Sequence, residues 1–238
     1  MDSTAPGDPA VVTMQATARR VGAWAWAEGS LYEVLGGWVA SASAPPVKVY
    51  FDSTSLHHAW RAQLWRERLP ARLVAAPTRP GPGPAELAEQ AEQAEQDEQA
   101  EQDEQDEQAE QAEQAESTAP AHADLVRPPS GGAEAAMLAL SNLEGDAARL
   151  AAHSRVVLPR TAVAYRHWQG RCSPSSDRPV ARVLAMALAD VLGDWQDGSS
   201  LLVEVLSGAG GGQHVEAAAG AVAEIERLLV RERPMPGA

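Results

Sequence analysis

Residue types that carry particular chemistries are scarce in this chain of 238 residues. Cys172 is the single cysteine, which excludes an internal disulfide and a zinc site built on several thiolates. A lone cysteine without a motif around it is more often inert than reactive. The chain has no run of about 18 apolar residues, and its start, MDSTAPGDPA, has neither a positively charged nor an apolar region. We therefore expect a cytoplasmic protein without a membrane partner.

Motifs of common catalytic and nucleotide-binding sites are missing as well. There is no G-x-S-x-G serine signature. The glycine-rich run at 208–212 follows no strand pattern, so we interpret it as a flexible linker and not as a phosphate-binding loop. Most of the tryptophans fall on predicted apolar helix stripes, where core positions are expected. These absences argue against serine hydrolases and nucleotide-binding enzymes.

The net charge of -14 is concentrated in one tract. Of the 33 acidic residues, 14 lie between Glu86 and Glu116, where there is no lysine or arginine. The remainder of the chain has 19 acids and 19 bases and is formally neutral. Without an excess of positive charge, we expect no nucleic-acid partner and no attraction to an anionic membrane.

Residues 78–129 have the composition of an insertion and not of a core. From 85 to 116 the chain repeats Ala or Asp, Glu and Gln every three residues, interrupted by Leu87. These residue types favour helix, but the tract lacks an apolar stripe and its glutamates repel one another at i and i+3. We predict a disordered segment or an isolated helix in solvent. The alternative is an acidic segment that binds a basic partner.

Residues 9–70 are predicted to form two antiparallel helices, because the prolines at 45–46 end the first helix and begin the second. The first helix has one carboxylate, that of Glu28, in its apolar stripe. The members of this stripe are Trp24, Glu28, Leu31, Leu35 and Trp38. The predicted stripe of the second helix consists of Leu56, Trp60 and Leu64. His57 lies at the edge of this second stripe, and His58 points away from it.

Residues 133–232 are predicted to form three further helices of the same bundle. Their ranges are 133–169, 180–206 and 215–231. Asp146 and His153 lie beside the apolar face of the first of these, and Asp194 lies inside the apolar arc of the second, with Asp190 at its margin. No segment alternates convincingly with a period of two residues, so the pattern indicates an all-α fold.

Glycine and proline inside these predicted helices disfavour helix. Gly36 and Gly37 each cost about 1 kcal/mol relative to alanine, and we expect a neighbouring helix to pack closely against them. Pro159 is expected to kink or divide the third helix.

Each of the four main helices therefore has an ionisable group on or beside its buried face. These groups are Glu28 on the first helix, His57 on the second and Asp194 on the fourth. On the third helix, the group is either His153 or Asp146. A buried carboxylate costs several kcal/mol unless it is paired, hydrogen-bonded or bound to a metal. Carboxylates and imidazoles at one level of a four-helix bundle can bind iron, manganese or zinc.

The alternative to a metal site is a structural polar network. Arginines on the same helices could pair with Glu28 and Asp194, and the histidines could donate to backbone carbonyls. The candidate arginines are Arg19, Arg61, Arg149, Arg160, Arg166 and Arg182.

Four segments resemble uncharacterised ferritin-like bundle proteins of high-GC bacteria: EGSLYEVLGGWVA, SLHHAWRAQLWRERLP, VVLPRTAVAYRHW and LADVLGDWQDG. The resemblance covers most of the chain outside the insertion. The ferritin-like superfamily implies a di-metal carboxylate centre, with one Glu from each of two helices and a Glu-x-x-His pair from each of the other two. On that pattern, Glu28 matches a lone Glu and His57 matches the histidine of a pair.

The chain departs from this pattern at several positions. Thr54 stands where the Glu paired with His57 would be, and Gly193 stands three residues after Asp190, where the pattern has His. The similar proteins have His and Glu at the positions that are here Arg61 and Gln63. A complete di-iron site cannot be assembled from these residues.

The sequence thus predicts an all-α, ferritin-like, up-and-down four-helix bundle with a C-terminal helix and an acidic insertion. The first functional hypothesis is a metal-binding member of this class, with vestigial oxidase or hydroxylase chemistry. Its candidate ligands are Glu28, His57, His153 and Asp194. The second hypothesis is a non-catalytic bundle that acts in protein association, as a homo-oligomer or with another protein.

Overall fold

The computed structural model describes residues 14–70, 122–173, 177–208 and 210–230. Every regular element within these ranges is helical, so the predicted all-α class is confirmed. None of the described helices is long and apolar enough to span a lipid bilayer. The acidic tract, which forms most of the predicted insertion at 78–129, lies outside the described residues.

The described helices follow one another along the chain with short connections, apart from the long one after α2. They are α1 (Met14–Ser41), α2 (Pro45–Arg66), α3 (His122–Leu125), α4 (Gly131–Ser141), α5 (Asp146–Ala151), a π-helical turn (Ala152–Val157), α6 (Leu158–Gln169), α7 (Arg178–Ser207) and α8 (Gly211–Val230). Because α5, the π-helical turn and α6 are continuous, we refer to residues 146–169 as the central helix.

Contacts within the chain divide it into two units, Met1–Leu69 with Leu125–Ala238, and Pro70–Asp124. All side chains discussed below belong to the first unit. Within the range predicted as insertion, Leu125 is buried in an apolar cluster with residues of α1 and α2.

Two antiparallel helix pairs form the main body of the first unit. In the α1–α2 pair, Trp24 packs on Trp65 near one end, and Trp38 packs on Phe51 near the other. The central helix and α7 form the second pair, joined by a short connection. The central helix runs parallel to α2, because Tyr50 contacts His153 and Trp65 contacts Tyr165 farther along both helices. A parallel arrangement requires the long connection that the chain has between α2 and α5.

The central helix is enclosed on nearly all sides. Each residue from 146 to 154 is buried, because α8 packs on the side of the central helix that α1, α2 and α7 leave open. α4 packs on α8 and α1. Alanines and a serine at many of these positions allow close approach of the neighbouring helices. The side chains of His153 and Ser154 therefore lie inside the protein, and not at the edge of an apolar face.

The predicted faces of α1 and α7 agree with the structure. All five stripe residues of α1, including Glu28, are buried, and Asp194 is buried within the apolar arc of α7. α8 buries Ala218 and Ile225, which lie seven residues apart on one face of the helix, and Val215 is exposed.

The predicted face of α2 is wrong. Leu56 and Trp60 are exposed, and the helix buries the opposite side. The buried residues are Val47, Tyr50, Phe51, Thr54, Ser55, His58, Arg61, Ala62 and Trp65. This face has four polar members, so apolar residues alone indicate the wrong rotation of the helix. Consequently His58 points inward, and His57 points outward.

The structure also bears on the two expectations about glycine and proline inside the helices. No neighbour lies within 4 Å of a Cβ built on Gly36 or Gly37, so close packing does not explain these glycines. Close packing is found instead at Gly22, where a Cβ would overlap the backbone carbonyl of Leu125. Of the two alternatives for Pro159, a kink or a division, division is not found, because a π-helical turn directly before this proline leads into α6 without a break. The segment predicted as one helix at 133–169 is divided instead between Ser141 and Asp146.

Candidate functional site

The interior of the four main helices contains a connected group of polar side chains, which we call the polar cluster. Its members are Glu28 on α1, Tyr50, His58 and Arg61 on α2, His153 and Tyr165 on the central helix, and Asp190 and Asp194 on α7. Aromatic and aliphatic residues close this cluster from solvent over most of its length. Buried polar groups at this density are stable only when their hydrogen bonds are satisfied.

Glu28 accepts hydrogen bonds at both carboxylate oxygens. Oε1 accepts from the hydroxyl of Tyr165, and Oε2 lies 2.5 Å from Nδ1 of His58 and 3.0 Å from Nε of Arg61. Burial alone raises the pKa of Glu28, but the charge of Arg61, followed by His58 and the hydrogen bonds, lowers it to about 2. Glu28 is therefore ionised inside the protein. Tyr165, whose pKa burial and Glu28 raise well above the ordinary value, stays protonated and donates.

Arg61 connects three helices through one fully buried guanidinium. Besides Glu28 on α1, it donates from Nη1 to Oδ2 of Asp194 at 2.9 Å and to Oδ2 of Asp190, both on α7. Nη2 of Arg61 lies 2.8 Å from Nδ1 of His58. Burial lowers the pKa of Arg61, but Glu28 and Asp194 raise it more, so the group is always charged.

Two imidazoles continue the cluster beyond Glu28. Nε2 of His58 lies 3.1 Å from Nε2 of His153, and Nδ1 of His153 lies 3.0 Å from the hydroxyl of Tyr50. Burial and the charge of Arg61 lower the pKa of His58, and burial and His58 lower the pKa of His153 well below the usual range. Both histidines are therefore neutral at physiological pH. Burial and Asp194 raise the pKa of Tyr50, which keeps its hydroxyl protonated.

Local backbone features position this part of the cluster. His153 lies in the π-helical turn of the central helix, and such turns often occur at functional sites. On α7, Gly198 leaves the space that the Tyr50 hydroxyl occupies, because a Cβ at this position would overlap it. A larger residue at Gly198 would displace Tyr50 from His153.

The exposed edge of the cluster holds three groups of the kind that bind metal ions. Nδ1 of His57 lies 2.7 Å from Oδ1 of Asp194 and 4.0 Å from Oδ1 of Asp190. One potential ligand atom from each of these residues lies within 4.8 Å of the others. The side chain of His57 is 46% exposed, whereas Asp194 is buried, so this group opens to solvent on one side. We call these three residues the outer triad.

The four predicted ligands do not meet at one point. Glu28 and His153 both belong to the polar cluster, but His58 lies between them. His57 and Asp194 meet in the outer triad, and Arg61 separates this pair from Glu28. His58 was predicted to point away from the apolar stripe of α2, on the side of Trp65, and it was not among the candidate ligands. The Trp65 side is the buried one, so His58 lies in the polar cluster.

Asp146, the alternative candidate on the central helix, has a different role in the structure. Its carboxylate accepts hydrogen bonds from the backbone N–H of Ser43 at 3.1 Å and of Ala44 at 2.9 Å, and from the Ser43 hydroxyl at 3.1 Å. It thus caps the start of α2 from a neighbouring helix and fixes the α1–α2 turn.

A di-metal centre of the ferritin-like type does not fit the buried residues. Both oxygens of Glu28 already accept hydrogen bonds, and Arg61 occupies the space between Glu28 and the aspartates. Within the described residues, the outer triad is the one group of three or more His, Cys, Asp or Glu side chains with a geometry for metal binding.

Arginines on the surface are unevenly distributed, although the charges outside the acidic tract balance. At the end of the bundle where α1 begins and α2 ends, Arg19, Arg20 and Arg127 line one cleft, and Arg68 and Arg182 line another. The sequence could not show this local positive charge. The expected lack of a nucleic-acid partner stays a prediction.

No protein-family model matches this chain, and neither a curated protein nor a solved structure matches it.

Proposed function

We propose that this protein is a ferritin-like helical bundle that binds one divalent metal ion at the outer triad, His57, Asp190 and Asp194. The observation that carries the proposal is the convergence of one imidazole nitrogen and two carboxylate oxygens within 4.8 Å. Imidazole and carboxylate ligands suit iron, manganese and zinc.

Charge supports a cation at this position. The polar cluster has three carboxylates, those of Glu28, Asp190 and Asp194, and one guanidinium, while His58 and His153 are neutral. The cluster therefore has a formal excess of two negative charges, which one divalent ion would balance. Buried charge without compensation is costly, so the excess favours a cation at the solvent-facing edge.

The orientation of the aspartates also supports the proposal. Arg61 donates to Oδ2 of Asp194 and Oδ2 of Asp190, which leaves the Oδ1 atoms directed toward His57. Metal-binding carboxylates are commonly held in place by a hydrogen bond to their second oxygen. Three protein ligands would leave coordination positions for water.

Helix connectivity supports the ferritin-like assignment. Two antiparallel helix pairs joined by one long connection, with α2 parallel to the central helix, are the arrangement of ferritin-like folds. Oxidase or hydroxylase chemistry is not part of the proposal, because the buried residues do not fit a di-metal centre.

Metal analysis tests this function directly. Protein purified without chelator, then loaded with Mn²⁺ or Zn²⁺ and desalted, should contain one ion per chain. His57→Ala and Asp190→Asn should lose this ion, and His167→Ala, which removes an exposed histidine of α6 outside the triad, should retain it. Wild-type protein without metal, or triad variants with an unchanged metal content, would overturn the proposal.

A second candidate function, association with a second copy of this chain, is favoured by the exposed side of α2. Val49, Leu56 and Trp60 are 65%, 59% and 40% exposed and lie on one face of the helix, at spacings of seven and four residues. Apolar surface of this kind is often covered by a partner.

Light scattering after size-exclusion chromatography tests this association. A dimer that becomes a monomer in Leu56→Glu, but not in Val163→Glu, would support it, because Val163 is an equally exposed apolar residue on another helix. A monomeric wild type at concentrations of about 100 μM would exclude a stable dimer.

A further inference from the structure

We infer that Arg61 is the resident cation of the polar cluster: its guanidinium takes the place of a buried metal ion, and its removal would create a metal site on Glu28, His58 and the aspartates of α7. This inference concerns the buried half of the cluster. The proposed function concerns its exposed half, and either can fail without the other.

The surroundings of Arg61 are those of a metal ion in a carboxylate and histidine site. Its Nε lies 3.0 Å from Oε2 of Glu28, and its Nη1 lies 2.9 Å from Oδ2 of Asp194. Nη1 also donates to Asp190, and Nη2 lies 2.8 Å from Nδ1 of His58. Three carboxylates and one imidazole, from α1, α2 and α7, therefore surround one cationic group. These are the ligand types with which helical bundles bind iron, manganese and zinc.

A guanidinium in this position excludes a metal ion for two reasons. Metal ligands must approach to about 2.0–2.2 Å, and the carboxylate oxygens that would have to do so are already hydrogen-bonded to Arg61. The guanidinium also stays charged at every accessible pH, so it would repel a second cation at contact distance. Arg61 does not block the outer triad in this way. The potential ligand atoms there are the Oδ1 atoms of Asp190 and Asp194, which face His57 and not Arg61.

Replacement of a metal by arginine also changes how the bundle is stabilised. Arg61 ties α1, α2 and α7 together with a covalently attached cation, whereas a metal site of the same residues would fold only when metal is present. The interior of the wild-type protein should therefore need no metal to fold.

The experiment counts metal ions in a background without the outer triad. His57→Ala serves as the reference protein, and Arg61→Ala and Arg61→His are each combined with it. After loading with Zn²⁺ or Co²⁺ and desalting, the reference should contain no metal, and the double variants should contain one ion per chain. Bound Co²⁺ should give visible absorption bands, which free aqueous Co²⁺ shows only weakly.

Two controls show where the ion is bound. Adding Glu28→Gln to the double variants should abolish binding, because it removes the carboxylate that α1 contributes. Arg149→Ala in the His57→Ala background should gain no metal, because this arginine is also buried but bonds Ser41 and a backbone carbonyl.

The outcomes are decisive in either direction. A double variant that is unfolded without metal should recover helical circular dichroism when Zn²⁺ is added. Failure of both double variants to bind metal or to refold with it would overturn the inference. It would also be overturned if the reference protein bound a metal that Glu28→Gln removes. If the wild-type protein binds no metal, the proposed function is overturned and this inference is unaffected.

Discussion

The Nε2 atoms of His58 and His153 lie 3.1 Å apart inside the bundle, and both side chains are fully buried. This contact requires that one nitrogen has a hydrogen and the other has none. Nδ1 of His58 lies 2.5 Å from Oε2 of Glu28 and 2.8 Å from Nη2 of Arg61, so this imidazole contacts both members of the buried ion pair. Nδ1 of His153 lies 3.0 Å from the hydroxyl of Tyr50, which donates to the backbone carbonyl of Asp194 at 3.1 Å. Contacts at hydrogen-bond distance therefore continue without a break from Tyr50 through both imidazoles to Glu28 and Arg61.

The two buried histidines make stability depend on pH. Burial and the charge of Arg61 lower the pKa of His58, and burial and His58 lower the pKa of His153. Below about pH 6.5, the unfolded chain therefore binds more protons than the folded chain. The free energy of unfolding should be constant above about pH 6.5 and fall below it, by at most about 2.7 kcal/mol per pH unit for two groups. Urea titrations from pH 8 to pH 5 measure this slope. His153→Gln should reduce it, and a flat profile would contradict the assignment of neutral imidazoles.

Glu28→Gln should destabilise the protein strongly. The substitution leaves Arg61 buried without its partner on α1, and breaking a buried ion pair in this way costs about 3–5 kcal/mol. Glu33→Gln on the exposed side of the same helix is the matched control and should change the free energy of unfolding by less than about 0.5 kcal/mol. Urea denaturation at pH 7 compares the two variants.

The same pair of proteins tests the pKa of Glu28. Because this pKa is lowered to about 2, the stabilisation from the charged form is complete above the unfolded value of about 4.5 and is lost as the pH falls toward 2. The difference between wild type and Glu28→Gln should therefore be constant between pH 5 and 7 and shrink below pH 4.5. A difference that shrinks already near pH 6 would mean that the pKa of Glu28 is raised.

Glycines of α1 should respond to alanine in opposite directions. Gly36→Ala and Gly37→Ala should each stabilise the protein by about 0.5–1 kcal/mol, because both positions are exposed in a helix and no atom lies near the added methyl group. Gly22→Ala should destabilise it, because the methyl group would overlap the Leu125 carbonyl. Thermal or urea denaturation measures all three. Equal effects at Gly22 and Gly36 would show that Leu125 does not pack against α1.

Asp146→Ala should cost about 1–3 kcal/mol, because it leaves the backbone N–H groups of Ser43 and Ala44 without an acceptor at the start of α2. Glu144→Ala, a nearby exposed acid, is the control and should have little effect. Metal content should be the same in both variants. Loss of metal in Asp146→Ala would contradict this expectation and would indicate that Asp146 is a metal ligand.

The apolar faces of α1 and α7 could be predicted because most of their buried residues are apolar. On α1, four apolar residues flank Glu28, so one carboxylate does not obscure the period. On α2, Thr54, His58 and Arg61 occupy the buried side, while Leu56 and Trp60 occupy the exposed side. A prediction of the buried face of α2 from hydrophobicity alone is therefore wrong. The spacing of Phe51, His58 and Trp65, seven residues each, was the available signal.

The candidate site was predicted in part for the same reason. Glu28, His153 and Asp194 could be identified because each is an ionisable group near an apolar stripe. Arg61 was considered as a partner of Glu28, but its central position depends on three helices meeting at one level. Sequence separations of more than 30 residues between these groups leave no local pattern that would show their contact.

By itself, the sequence determined that the chain forms amphipathic helices, where the main ones lie and that one carboxylate is buried in α1, because helical periodicity is a local property of residue order. Only the tertiary structure decided which histidine of the adjacent pair enters the bundle and which cation meets the buried carboxylates. Those choices depend on the rotation of each helix against its neighbours, and a buried charge selects the rotation that brings it to an opposite charge on another helix.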